Sequence, residues 1–201
     1  MNTPDAKEER LTLEVLSAVD SGRRLSQRSL ANQMGVALGL ANSYVKRCVR
    51  KGYIKISEAP ANRYIYYLTP KGFSEKSRLT TRFLSSSFDF YRQASSSCAA
   101  IFSHCLENNI SSVIFCGCSE LAEIALIQAM DQGVQVAGFY DPGCERSQVF
   151  SRPVWTSLDQ LPDQVRVITH LTDPLEIYRS VKLAAPDIVV LVPDVLGLNP
   201  D

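Results

Sequence analysis

The 201-residue chain has room for one large or two small domains. Its net charge of zero hides a split: residues 1–95 hold 16 Lys and Arg against 8 Asp and Glu, a net +8, while residues 96–201 hold 5 against 13, a net −8. One half thus suits a polyanion, and the other would be repelled by it and should sit away from it. The polar stretch through Arg10 does not read as a secretory signal, and the longest aliphatic run, Ile188 to Val192, is far short of a membrane span. The expected location is cytoplasmic, with no membrane partner. The six cysteines, Cys48, Cys98, Cys105, Cys116, Cys118 and Cys144, are then expected to be reduced, and they show neither paired CxxC motifs nor zinc-finger spacing.

Residues 1 to 7 read as a loose tail. Glu8 to Val19 reads as a helix with Leu11, Val15 and Leu16 on one side, closed by Ser21-Gly22. The stretch from Leu25 to Ile54 then reads as helix, tight turn, helix and stop. Leu30, Ala31 and Met34 mark the inner face of its first helix, Gly35 breaks it, and Val36 tucks under the turn. From Ala37 to Lys51, small or apolar residues recur with helical period at Ala41, Val45, Cys48 and Val49. The opposite face carries Asn42, Ser43, Lys46, Arg47 and Arg50, and Gly52 supplies a left-handed stop. This is the pattern of a helix-turn-helix major-groove reader. Asn42 and Ser43 are short side chains able to hydrogen-bond base edges, and the three cations are placed for phosphates.

Tyr53 to Ser57 reads as a strand, Glu58 to Asn62 as a turn and Arg63 to Leu68 as a second strand, which makes a wing beside the reader helix. The predicted DNA-contacting set is Arg28, Ala37, Leu38, Leu40, Asn42, Ser43, Lys46, Arg47, Arg50 and Arg63. The competing readings are an ordinary solvated basic face, or a winged helix used only for protein contacts.

The segment Tyr67-Leu68-Thr69-Pro70-Lys71-Gly72 resembles the close of the wing in MarR-type regulators, over roughly residues 8 to 92. The resemblance is nearest to those associated with exopolysaccharide gene clusters, with MGVALGLANSYVKRCVRKGYIK as the matching core. It implies double-stranded DNA as partner.

From Pro70 to Asn108 no further proline occurs and no glycine after Gly72, so one long helix is expected, or two joined near Ser85-Ser86-Ser87 or Ser95-Ser96-Ser97. Positions 84, 88, 91, 95, 98, 102 and 105 alternate by four and three, as a coiled-coil seam does, and predict a homodimer. The alternative is a helix packed within its own chain.

The second half begins with a strand at Ser112 to Cys116, a turn at Gly117-Cys118-Ser119-Glu120, a helix through Met130 capped by Gly133, and a strand from Val134 to Tyr140 ending at Asp141. Trp155 and Leu158 fit a further strand or turn and a short helix. Arg166 to His170 and Ile188 to Val192 read as strands, with a helix from Leu175 to Ala184 between them. The predicted fold is α/β overall: a winged helix at 1–72, a helical linker or dimerisation segment at 73–109, and at 110–201 a Rossmann-like domain of about five parallel strands with helices on both faces.

The loop after the first of these strands is a variant of the dinucleotide fingerprint. Gly117 and Ala122 are kept, but Ser119 replaces the middle glycine. Ser119 can cap the helix. Glu120 suits the helix dipole but would repel a phosphate. Asp141, 24 residues after Gly117, lies where an acidic residue grips a ribose. Gly117, Cys118, Ser119, Glu120 and Asp141 are therefore the predicted ligand site, for a nucleotide-type ligand such as NAD(H), CoA or a nucleotide sugar. Cys116 and Cys118 near a helix N-terminus, with Cys144, suggest a redox or metal role, against the plainer reading of small buried residues.

Domain order is similar to that of the redox-sensing Rex repressors, which implies NADH. The close at Val136 to Pro142, followed by Arg152-Pro153-Val154, also resembles the small Rossmann-like domains of sugar-nucleotide acetyltransferases and CoA-binding proteins. His104 and His170 are far apart in sequence, and no catalytic base presents itself. The sequence therefore reads as a dimeric DNA-binding transcription regulator with a sensing or assembly domain, and not as an enzyme. The alternatives are a nucleotide-sugar or coenzyme enzyme with an appended winged helix, and a structural assembly protein.

Overall fold

The computed structural model describes residues 4–21, 26–59 and 63–198. Of the sequence expectations, Gly22, the wing tip at 60–62 and the first three residues of the expected tail at 1–7 lie outside them, and the rest of that tail is helical, since α1 already begins at Pro4. Two compact units are present, Met1–Ser87 and Phe88–Asp201, each with its own core.

In the first unit α1 (Pro4–Asp20) buries Leu11, Val15 and Leu16. Helix α2 (Gln27–Gln33) starts at a reciprocal serine box. The Ser29 N–H donates to Ser26 Oγ at 3.0 Å and the Ser26 N–H to Ser29 Oγ at 3.1 Å, satisfying two donors at the helix start. Gly35 then turns the chain at φ +61°. Helix α3 (Leu38–Arg50) buries Ala41, Val45 and Cys48 against α1 and α2, as its period requires, and ends before Gly52.

Strands β1 (Ile54–Ala59) and β2 (Arg63–Leu68) pair antiparallel, with Ile54 opposite Leu68. Thr69 fastens the end of this hairpin. Its hydroxyl donates to the Gly52 carbonyl at 2.6 Å and accepts from the Gly72 N–H at 3.0 Å. This is a winged helix.

Helix α4 (Pro70–Glu107) runs 38 residues as one element. No break occurs at either serine triplet. Ser87 absorbs its hydroxyl by donating to the Phe83 carbonyl one turn back, at 3.0 Å, which lets a weak helix former stay helical. The N-terminal part of α4 is tied to α1 through Lys76–Asp20 at 2.6 Å and Arg82–Glu9 at 2.7 Å. The anticipated intermolecular seam divides. Leu84, Phe88 and Tyr91 are exposed, whereas Cys98, Phe102 and Cys105 are fully buried in the core of their own unit. For those last three positions the within-chain alternative is the one realised.

The second unit is a six-stranded sheet in the order β5-β6-β4-β3-β7-β8. Its strands are β3 (Ser112–Cys116), β4 (Gln135–Tyr140), β5 (Gln148–Val149), β6 (Arg152–Trp155), β7 (Val165–Ile168) and β8 (Val190–Leu191). Five are parallel; β5 adds an antiparallel edge that the sequence did not announce.

Alternation along β3 sends Val113 and Phe115 to one face and Ile114 and Cys116 to the other. The first face is covered by α5 (Glu120–Gln132) and by the Ala94–Cys105 part of α4, with Phe115 between Phe102 and Phe139 at centroid distances of 6.1 and 5.7 Å. The second face is covered by α6 (Pro174–Ala184) through Ile177 and Val181. The chain leaves β3 toward β4 on one side and later adds β7 on the other. The strand order therefore reverses between β3 and β7.

Candidate functional site

The solvent face of α3 forms a groove of about 490 Å³ lined by Gly39, Asn42, Ser43, Lys46, Arg47 and Arg50. These positions share one face because they recur at three and four residues along the helix. Ser43, Lys46 and Arg50 are exposed. Asn42 is half-buried, and its Oδ1, itself buried, has no hydrogen-bond partner among the described residues. Arg47 is held in an ion pair with Glu8 of α1, so its cation is partly spent inside the unit.

Ala37 is the residue before the first turn, with no side-chain cap. Leu38 and Leu40 stand 47% and 40% exposed at the helix start and leave apolar groups facing outward. Arg28 lies exposed on α2. Arg63 opens β2, and its side chain lies outside the described residues.

The sequence reading missed Gly39, whose absent side chain floors the groove with backbone and leaves open space where a Cβ would stand. Its place one turn before Asn42 and Ser43 was the available signal. It also missed Lys51 and Lys71, whose ammonium groups lie 5.9 and 5.5 Å from the Tyr53 ring centroid at the base of the wing.

At the sheet, Gly117, Cys118, Ser119, Glu120 and Asp141 come together at the start of α5. The loop's polar groups are spent on one another. The Cys118 N–H donates to Asp141 Oδ2 at 2.8 Å, the Ser119 hydroxyl donates to the Thr169 carbonyl and accepts from the Leu121 N–H at 3.1 Å, and the Thr169 hydroxyl donates to the Gly117 carbonyl at 2.7 Å. Gly117 sits at φ +125°, and a Cβ there would lie 2.4 Å from the His170 amide nitrogen. The glycine admits the segment that follows β7, while Ser119 fills the position of the middle glycine that lets a backbone approach a pyrophosphate. A dinucleotide does not fit this loop as it stands. Glu120 is exposed at the helix start.

The helix N-terminus does not activate a thiol. Burial, then the neighbouring Cys144 thiol and the Asp141 carboxylate, push Cys118 up to about 12, and burial pushes Cys116 to about 12. Cys116 moreover packs on the opposite sheet face, because β3 ends there and Gly117, at φ +125°, turns the chain before Cys118. Among the described residues no group of three or more His, Cys, Asp or Glu side chains is placed to hold a metal ion.

A winged helix-turn-helix DNA-binding family model matches residues 8–55. Of solved structures, the transcriptional regulator PcaV of Streptomyces coelicolor, determined with its natural ligand, is 25% identical over 39% of this chain and 57% of its own, with a TM-score of 0.36. This chain thus spans little more than half the length of that regulator. The O-methyltransferase NcsB1 from neocarzinostatin biosynthesis, solved with S-adenosylmethionine and 2-hydroxy-5-methyl naphthoic acid, is 15% identical over 96% of this chain and 79% of its own, with a TM-score of 0.40. Its complex with S-adenosyl-L-homocysteine aligns over 96% of this chain, and 82% of its own, with 16% identity and a TM-score of 0.31. No curated protein matches.

The sequence reading that this is not an enzyme is corrected here. The two NcsB1 structures align over 96% of the chain and are O-methyltransferases, and a missing side-chain base does not exclude a group transfer. Scores this low carry no activity across to this chain. No helix among the described residues is long and apolar enough to cross a membrane.

Proposed function

We propose that this chain is a cytoplasmic, sequence-specific DNA-binding transcription regulator of the MarR type, working as a homodimer. The observation that carries this reading is the α3 groove, where a bare Gly39 backbone, Asn42 and Ser43 lie together with the exposed cations Lys46 and Arg50. A helix so lined presents hydrogen-bonding groups at base-edge depth and positive charge at the rim, which is what the major groove and its phosphates require.

The C-terminal domain is Rossmann-like in this proposal. The support is its parallel strand order, third-second-first-fourth-fifth in chain order when β5 is set aside, and the glycine loop at the point of reversal. Its role is assembly of the dimer or sensing of a nucleotide-type ligand. Because Asp141 already occupies the Cys118 N–H, a ligand at Gly117, Cys118, Ser119 and Glu120 has first to open that bond.

The test is a genome-wide selection of bound fragments with the full-length protein, followed by footprinting and titration against NADH, CoA, a nucleotide sugar and S-adenosylmethionine. A footprinted operator is expected, with affinity falling steeply as salt rises. Salt-insensitive or absent DNA binding would sink the regulator reading. An operator affinity that no ligand shifts would leave assembly as the domain's role.

A further inference from the structure

We propose that Cys118 and Cys144 form a reversible disulfide that fastens the loop after β3 to the loop after β4. Both residues hang on Asp141. The Cys118 N–H donates to its carboxylate Oδ2 at 2.8 Å, and the Cys144 N–H donates to its backbone carbonyl at 3.2 Å. Cys118 and Cys144 both pack half-buried against the same face of the sheet. The other four cysteines are at most 2% exposed. Of the six thiols in the chain, these two alone are open to solvent, and both are tied to Asp141. The inference is independent of the DNA reading, since it concerns only how two loops are held.

Two loops pinned to one residue can bring their thiols to bonding distance once the Cβ atoms approach the ~3.8 Å that a disulfide prefers. The oxidant is a peroxide. One thiol sulfur attacks a peroxide oxygen and the O–O bond breaks. The departing hydroxide takes the thiol proton and leaves as water, with a sulfenic acid on that cysteine. The partner sulfur then attacks the oxidised sulfur, the S–O bond breaks, and the second hydroxide leaves as water with the partner's proton. Two thiols are oxidised to one disulfide, and one hydrogen peroxide is reduced to two waters. Burial keeps Cys118 protonated near neutrality, so its reaction with peroxide is slow there and quickens as pH rises.

The experiment treats reduced full-length protein with hydrogen peroxide under native conditions, blocks remaining thiols by alkylation, and maps the peptides by mass spectrometry. The expected result is loss of the mass of two hydrogens, a single Cys118–Cys144 cross-linked peptide, and full reversal by dithiothreitol. Cys118→Ser and Cys144→Ala should each abolish the loss, with Cys48, Cys98, Cys105 and Cys116 still free in the wild type. Both thiols remaining alkylatable after peroxide, a cross-link to another cysteine, or sulfinic acids without a cross-link would each overturn the proposal.

Discussion

Gly117 meets two demands that no other residue type satisfies together. Its φ of +125° lies where a side chain is strained, and the space its Cβ would fill holds the His170 backbone, 2.4 Å away at the amide nitrogen. Replacing it by alanine must therefore push β7 away from β3 or twist the loop, and either opens the Thr169–Gly117 and Ser119–Thr169 hydrogen bonds. Gly117→Ala is expected to cost ~3 kcal/mol or more, at the severe end for point changes. Gly133, also left-handed at φ +77° but with open space around it, isolates the backbone term, so Gly133→Ala is expected to cost about 1 kcal/mol. Equal losses in urea unfolding of the two variants would mean that contact with His170 contributes nothing.

At the scale of elements, the reader helix and its neighbours are bound by charge as well as by packing. Lys46 and Arg50 are exposed, while Arg47 is paired with Glu8. In the proposed complex, Lys46→Ala and Arg50→Ala should each reduce the slope of log affinity against log salt by about 0.9, because each releases one counterion's worth of phosphate contact. Arg47→Ala should change it less in the wild type than in a Glu8→Gln background, where the guanidinium is released. Identical slopes in both backgrounds would dismiss the Glu8 pairing as a restraint.

A second ionic element joins α1 to α4. Hydrogen bonding to Arg78 is the main reason Glu75 sits below the ordinary carboxylate range, and Arg78 also reaches Glu9 at 3.5 Å. A carboxyl whose folded pKa is depressed stabilises the fold above its unfolded value, and that contribution disappears as pH falls through the folded value. The urea midpoint of the wild type should therefore drop on acidification through that window more than that of Glu75→Gln. Parallel curves would remove Glu75 from the account.

What was legible in the sequence at this scale was local. The Ala41, Val45 and Cys48 period, the Gly35 turn and the Gly133 cap each depend on residues within a turn or two, and the structure has them in place. The loop at Gly117 was illegible because its partners are distant. His170, Thr169 and Asp141 consume its space and its donors from 23 to 53 residues away, and a glycine in a G-x-S-x-x-A string looks the same whether it admits a phosphate or another strand. The heptad spacing of α4 was ambiguous for a similar reason. Cys98, Phe102 and Cys105 satisfy it by burying against their own sheet, and the two-residue edge strand β5 is too short to leave any period at all.

For the whole molecule, the middle of α4 poses a question of solvent. Residues 81–93 are all exposed, thirteen in succession, and among them are Phe83, Leu84, Phe88, Phe90 and Tyr91. Surface helices normally bury one face, and a run of aromatic side chains left in water loses the burial that usually holds a helix together. A second copy of the chain offers the same apolar stripe, and two-fold pairing would place like against like, as closed dimers require. A homodimer also suits a reader of two half-sites. The expectation is that the full-length protein is a dimer at micromolar concentration in sedimentation equilibrium. Phe88→Asp should weaken it by at least ~100-fold, about 3 kcal/mol, since a carboxylate would be carried into the centre of the interface. Leu183→Asp, on a residue 85% exposed on α6, is the control and should leave the dimer intact. The circular-dichroism spectrum of Phe88→Asp decides between two physical accounts. Retained helicity with a monomeric mass means that α4 is stabilised by its ends, through the Leu79 contacts in one unit and the Ala94 to Cys105 contacts in the other. Lost helicity with a monomeric mass means that the partner copy is what keeps the central turns wound. A wild-type protein that sediments as a monomer at every concentration would dismiss the second copy as the cover for this stripe.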